Sequence, residues 1–326
     1  PDTEANQRAF PQAHTQKPGV GLPIARAVVV LSLASAAICD LAVGPYLGKE
    51  TGEPALLRRL MDAFDPGDIA VFDQCFGSYL MLAALSQRGV DVCTKLHQKR
   101  PPNLPTTRQL DDGTSLATWT RPDRPAWMPE KDYVQMPQTM TVRIVKLDII
   151  DEAYRPKTIT VVTTLTDHHI YTPEFIARLY GYRWNAELDI RAIKTTLNLE
   201  HVRCKSPAMV QRELWVTLLG YNLVRATAAA AAQRHGKPAR RMSFTLTCQQ
   251  IITTYLLLAT GACRDPAAIA IVTAALDRIA AGEVPLRPGR IEPRVVKRRP
   301  KPHKLMTQPR DVLRAKLRKD QAATTY

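Results

Sequence analysis

Seven prolines, at 101, 102, 105, 122, 125, 129 and 137, fall between Lys99 and Pro137 of a 326-residue chain. Proline has no backbone N–H and a fixed φ, so no long helix can run through this stretch and central strands are disfavoured within it. The chain is therefore expected to consist of a part before the interruption, an insertion built from β pieces, and a part after it. Upstream, the Val- and Leu-rich runs 25–35 and 36–46 read as two adjacent strands of a largely buried sheet. Leu56, Leu57, Leu60 and Phe64 recur at helical spacing and predict a helix over 52–64. Pro66-Gly67 then turns the chain into a short apolar strand, 68–73, with an acid at its end. A helix over 79–88, stopped by Gly89, leads to a strand over 90–96. Strand, strand, helix, strand, helix, strand is an α/β pattern.

Downstream, β-branched runs predict strands over 139–149 and 158–165. Thr172-Pro173 has the form of an N-cap followed by proline at the first helical position, and it opens a helix to about Leu197 with Gly181 as its weak point. Apolar helices are expected over 207–234, 243–261 and 266–281. The polar, Pro-punctuated segment 1–21 reads as loop. The organisation expected is a first part of the core over 1–97, a β-rich insertion over 98–157, a second part of the core over 158–234, C-terminal helices over 235–283 and a basic tail over 284–326.

Forty-five Lys+Arg against thirty Asp+Glu leave a formal charge of +15, which argues for a polyanionic partner, nucleic acid before an anionic membrane surface. The tail carries thirteen Lys/Arg, Lys297, Arg298 and Arg299 among them, against Glu292, Asp311 and Asp320, so it holds +10 of that charge. Interleaved prolines at 288, 293, 300, 302 and 309 are expected to keep it extended, either as a strap along a phosphate backbone or as a solvated arm. The longest apolar run, Ala27 to Cys39, lies between Arg26 and Asp40 and falls short of the roughly 20 residues that cross a bilayer. Six cysteines, nowhere closer than fifteen positions, form no metal clip or redox pair and read as reduced, buried thiols of a cytosolic protein.

On the helix after Pro173, Tyr180, Arg183, Glu187 and Lys194 fall in one narrow stripe when placed at about 100° per residue. Leu179, Tyr182, Ala186, Ile193 and Leu197 form an apolar face for the core. The stripe is either one side of an ordinary amphipathic helix, with an Arg183/Glu187 ion pair at i, i+4, or a functional surface. Among the tryptophans, Trp184 and Trp215 are expected to pack in the core. Trp119 and Trp127, in the Pro-rich stretch, either pack the insertion or stack on a displaced base.

The spacing Y-x2-R-x3-E-x6-K resembles the signature of the insertion-sequence DDE transposases, and further segments match in order. Gly67 to Phe76 is similar to the family's strand carrying its second catalytic Asp. Gln16 to Arg26, Thr163 to Asp167 and the tail from Arg287 to Arg299 are similar to segments of the group typified by insertion sequence number four. The resemblance implies an α/β, ribonuclease-H-like catalytic core in which three carboxylates hold two Mg²⁺ ions, with Mn²⁺ able to substitute, and a β-rich insertion ahead of the Glu helix. It makes Asp73 the second carboxylate and Glu187 the third. It gives Arg183, Lys194 and Tyr180 to the phosphates of a transposon end, with Trp119, Trp127 and the basic tail as further contacts to double-stranded DNA. The first carboxylate is expected on an opening strand upstream of Pro1, with Asp2 and Asp40 as the other candidates. The implied activity is DNA cleavage at element ends and strand transfer, by a homo-oligomer in a synaptic complex, in a bacterial cytoplasm at the nucleoid and without membrane attachment; a hairpin intermediate fits the same resemblance. The competing reading is a catalytically inactive DNA-binding remnant.

Overall fold

The computed structural model describes residues 1–97, 106–149, 157–199, 201–260, 265–284 and 306–324. The polar opening segment, expected as loop, forms a short helix α1 (Glu4–Ala9). Thr3 caps it by accepting a hydrogen bond from the Asn6 N–H, and the buried Asn6 side chain donates to Cys204 O far along the chain. Two strands follow, β1 (Ala25–Leu31) and β2 (Ile38–Pro45), paired antiparallel as a ribbon. The helix expected over 52–64 is present as α2 (Glu53–Leu57) and a 3₁₀ turn, Arg58–Ala63, within which Leu60 departs to φ −110° while its side chain remains buried. Next come β3 (Ile69–Phe72), α3 (Tyr79–Gln87), which Ser78 caps, and β4 (Asp91–Lys95).

The Pro-rich stretch contributes β5 (Thr106–Gln109), β6 (Ser115–Thr120) and α4 (Glu130–Gln135), followed by β7 (Thr139–Ile149) and β8 (Lys157–Thr163). These strands complete one six-stranded sheet of order β3-β4-β8-β7-β6-β5, in which β3 and β4 run parallel and every other neighbouring pair antiparallel. β6 is an interior strand, contrary to the expectation drawn from the prolines. Its residues fit between Pro105 and Pro122, so the prolines bound the strand and do not interrupt its ladder.

The helical half consists of α5 (Pro173–Gly181), α6 (Arg183–Thr196), α7 (Pro207–Arg234), α8 (Phe244–Ala259) and α9 (Asp265–Ala281). The tail was expected to be extended, yet its end forms α10 (Arg310–Thr324). Beyond Pro309 the residues are mostly strong helix formers and no further proline intervenes; the prolines from 288 to 302 lie outside the described residues. Among the described residues no helix is long and apolar enough to cross a membrane.

The β1–β2 ribbon is not part of the six-stranded sheet; among the described residues β1 pairs with β2 alone and β3 with β4 alone. Val28 and Val30 face a core shared with Leu56, Leu57, Leu60 and α3, whereas Val29 and Val43 face a second core with Phe10, Leu214, Leu218 and Tyr221. Side chains alternate along a strand, so a ribbon held between two cores needs consecutive apolar residues where it is covered, at Val28 to Val30 and Leu41 to Val43.

The sheet also buries a charge. Arg143 on β7 is fully enclosed and donates to Asp112 Oδ2 (2.5 Å), Thr114 Oγ1 (2.9 Å) and Tyr171 O. Burial raises the Asp112 pKa, but hydrogen bonds from Thr114 and the Arg143 charge outweigh it and hold the carboxyl below its usual range. A depressed folded pKa contributes stability that is present above the unfolded value and lost as pH falls through the folded one. Asp112→Asn is therefore expected to cost about 3 kcal/mol at neutral pH, because it leaves Arg143 buried without its counter-charge. In urea denaturation the gap between the two proteins should close as pH drops below about 4; a pH-independent gap would show that the carboxylate's charge is not the cause.

Candidate active site

β3 ends at Phe72, and the next residue, Asp73, caps the 3₁₀ turn Gln74–Phe76 by accepting the Gln74 N–H at 2.7 Å. Its backbone oxygen accepts from Thr94 Oγ1 of β4 at 3.2 Å, so both the peptide and the exposed carboxylate are held at the end of the strand. The helix bearing Glu187 is opened by Thr172, which caps α5, and it is broken at Tyr182, the residue after Gly181. Arg183, Ala186, Glu187 and Ile190 then recur at i, i+3, i+4 and i+7, the spacing of one helix face. That face lines a cavity of about 610 Å³ together with Asp73, the β1 residues from Val28 to Leu31 and the β3 residues from Ile69 to Phe72. Asp73 and Glu187, 114 positions apart in sequence, thus open onto one space.

The cavity's charged end is internally connected. Arg183 Nη1 donates to Glu187 Oε1 at 2.6 Å, the i, i+4 pair that helical spacing permits. Burial works against the Arg183 charge, yet the bond to Glu187 and the fields of Tyr180, Glu187 and Asp73 together raise its pKa. Tyr180 was expected to offer its hydroxyl to DNA. Instead it is 8% exposed among Val145, Val161 and Ile176, its pKa pushed up to about 12, mainly by burial. The Arg183 guanidinium lies 5.8 Å from its ring centre, so Tyr180 neighbours Arg183 from the core side. Lys194 is exposed two turns beyond Glu187 and is not among the residues lining the cavity. Lys297, Arg298 and Arg299 lie outside the described residues.

Of the tryptophans, Trp119 takes the packed alternative: it is 3% exposed in the main core and presents no face to a base. Trp127 is half-buried beneath the Arg58 guanidinium, 3.7 Å from its ring centre, so the stacking surface expected of it is already occupied. Trp184 and Trp215, expected in the core, are 45% and 50% exposed. Helical periodicity assigns a residue a direction, but only the packing of neighbouring elements decides whether anything covers it.

Neither candidate for the first carboxylate joins Asp73 and Glu187. Asp2 accepts from Gln7 Nε2 (2.8 Å) in a shallow recess with Gln12 and His14, and Asp40 lies on the ribbon, accepting the Leu41 N–H at 2.7 Å. Asp65 and Asp68 do line the cavity, but β3 separates Asp68 from Asp73, a span of about 16 Å at 3.3 Å per residue. Asp73 and Glu187 offer the hard oxygens that a divalent ion prefers. Among the described residues, however, no group of three or more His, Cys, Asp or Glu could hold a metal ion. The donor type fits a metal pair; the donor count falls short of one.

Residues 11–223 match the family model of the transposase DDE domain, a range that contains Asp73, Glu187 and both strand edges of the cavity. The chain belongs to the DDE transposases. It is similar to the transposase InsG for insertion sequence element IS4 of Escherichia coli strain K12, with 26% identity over 305 residues. The match covers 92% of this chain and 65% of that relative, so the transposase spans just under two thirds of its relative's length.

Two features of the transposase's site had no recognised signal in the sequence. One is the pair of free strand edges. The other is a buried polar cluster behind Glu187 made by Asp189, Arg225 and Arg240. An acid two positions after Glu187, an arginine within the apolar run of α7 and another just beyond it are the marks that the cluster leaves on the chain.

Proposed function

We propose that this transposase has a ribonuclease-H-like core that cleaves double-stranded DNA at the ends of its element and joins the freed 3′-OH to a target. Asp73 and Glu187 serve in this reading as two of three carboxylates for a pair of Mg²⁺ ions. The observation that carries it is that these two acids share a cavity walled by β1 and β3, each with an edge that is unpaired among the described residues. Neighbouring strands lie about 4.8 Å apart, so an extended segment between two free edges can pair with both. The slot is apolar around those edges, with Leu57, Phe64 and Phe76 at one side and Ala186 and Ile190 of α6 at the other, as a fully buried strand requires. A strand placed there with an acid beside Asp73 supplies the third carboxylate, a position that neither Asp2 nor Asp40 can fill.

When bound, the divalent ions supply a water or hydroxyl nucleophile at neutral pH and a clamp on the leaving oxygen. The chain's own contribution is orientation. Asp73 is fixed by its cap, and Glu187 is paired with Arg183, whose guanidinium lies beside the Tyr180 ring. Lys194 and the basic tail give charge to the DNA backbone, and two element ends call for a homo-oligomeric synaptic complex. The carboxylate count also favours a second reading for the chain as it stands, DNA binding without cleavage.

The test pairs the 326-residue chain with a synthetic ten-residue peptide of alternating Val and Ile that ends in Asp, on a duplex carrying the element's end and in Mg²⁺ or Mn²⁺. The chain alone is expected to bind but cut negligibly. The peptide should protect the β1 and β3 amides from hydrogen exchange and support cutting, whereas its Asn-terminated version should protect without cutting. Robust metal-dependent cleavage by the chain alone would overturn the slot reading.

A further inference from the structure

α6 carries Glu187 and Arg183 to the cavity, yet only two of its fourteen residues are buried, Asp189 and Ile193. Its first turn has no side-chain cap, and it follows directly on the break at Tyr182. A helix with so small an apolar footprint has little packing to fix its rotation about its own axis, and that rotation decides where Glu187 points. Asp189 lies about 200° round the helix from Glu187, so whatever holds Asp189 sets the direction of Glu187.

Asp189 is 3% exposed and is held by two arginines from two other elements. Its Oδ1 accepts from Arg225 Nη2 on α7 at 3.1 Å, and its Oδ2 accepts from Arg240 Nη1 at 2.8 Å, from the 3₁₀ turn Ala239–Arg241. Both arginines continue to the same place. Arg240 donates through Nε to Leu33 O at 2.6 Å and through Nη2 to Ser32 O at 3.4 Å. Arg225, itself 6% exposed, donates through Nε to Tyr221 Oη at 3.0 Å, and that hydroxyl donates to Ala36 O at 2.9 Å. One turn of α7 carries Asn222 as well, which accepts the Ile38 N–H and donates to Ile38 O, each at 2.8 Å. Every one of these backbone groups belongs to the β1–β2 connection or the first residue of β2, and Ser32 and Leu33 line the same cavity as Glu187.

We propose that Asp189 is a positioning residue which, through Arg225 and Arg240, locks the Glu187 helix to the β1–β2 connection and so sets the two walls of the cavity against each other. The arrangement suits that task because Arg240 donates to Asp189 and to the connection at once, and Arg225 reaches the connection through the Tyr221 hydroxyl. A shift of the ribbon must break bonds to the helix, and a rotation of the helix must break bonds to the ribbon. Buried charges tolerate little loss of their partners, so the coupling is steep. Glu187 is aimed by this lock at the metal site proposed above, and for that consequence alone the inference rests on that reading; the lock itself does not.

Hydrogen exchange on the full chain tests it. Arg240→Gln acts at a partly exposed residue and removes the ionic arm between the helix and the Ser32–Leu33 carbonyls. Amides of 32–38 and of 183–196 should both exchange about tenfold faster, while those of β4, β7 and β8 keep their rates. Asp189→Asn should loosen the same two segments, and the double variant should add little to either single one, the mark of a shared network. Acceleration at 32–38 with an unchanged Glu187 helix, or a uniform acceleration everywhere, would overturn the lock. If Asp189→Asn fails to fold, the Arg240→Gln pattern decides alone. A titration with Mn²⁺ in the presence of the slot peptide supplies the readout that mere destabilisation does not move. Arg240→Gln should weaken ion binding about tenfold at a temperature where circular dichroism shows the variant fully folded, and unchanged ion binding would deny the lock its role at the site. If the unaltered chain with peptide binds no Mn²⁺, the metal reading falls and the exchange pattern still decides the lock.

Discussion

Glu187→Gln is expected to lower metal-dependent DNA cleavage by roughly two to three orders of magnitude, the scale on which losing one preorganised electrostatic group acts. Glutamine keeps the length, shape and helix propensity of glutamate, so α6 has no reason to unfold. What it loses is a charged hard-oxygen donor and the partner of Arg183. The two losses oppose each other in DNA binding, because an unpaired Arg183 is a stronger phosphate ligand. Affinity for the duplex should therefore hold or rise while cutting collapses. The measurement is a parallel gel-shift and cleavage assay in the presence of the slot peptide, and equal cleavage by both proteins would remove Glu187 from the chemistry.

Deleting residues 284–326 removes ten net positive charges of fifteen. Every phosphate that the protein no longer neutralises flattens the slope of log affinity against log salt by about 0.9 on duplex DNA. If only three of the thirteen basic side chains touch phosphates, non-specific affinity at physiological salt falls on the order of a hundredfold and the slope by about 2.7. Fluorescence anisotropy across a salt series would show both effects. An unchanged slope would mean that the tail, with α10 in it, is a solvated arm. Cleavage per bound complex should survive this deletion, which separates it from Glu187→Gln.

Much of the local structure was legible from residue chemistry. Asp73 at the end of an apolar strand, the Thr172-Pro173 helix start, the bounds of α7 and the strand at 139–149 all follow from short-range preferences acting over a few residues. Where prolines cluster, the same reasoning overreached, because Pro105 and Pro122 bracket β6 and do not enter it. The Tyr180, Arg183, Glu187 stripe was legible as a direction on a helix, but its division of labour was not. Tyr180 turns to the core and Arg183 to Glu187, since the break after Gly181 lets α5 and α6 meet different neighbours. Trp184 was misplaced, and Trp119 was left open between packing and stacking, for the same reason: side-chain direction is a property of one element, whereas burial is a property of two.

Whether Asp73 and Glu187 would meet, which strand edges would be left bare, and where Asp189 would find its counter-charges depend on contacts between residues from about 36 to 200 positions apart. Short-range rules name the chemistry that a residue can offer, because capping, periodicity and backbone restriction act within a turn or a strand. Its partner is chosen when the sheet, the ribbon and the helical layer close on one another, and no local preference encodes that choice because the burial and the charge pairing that reward it exist only after closure.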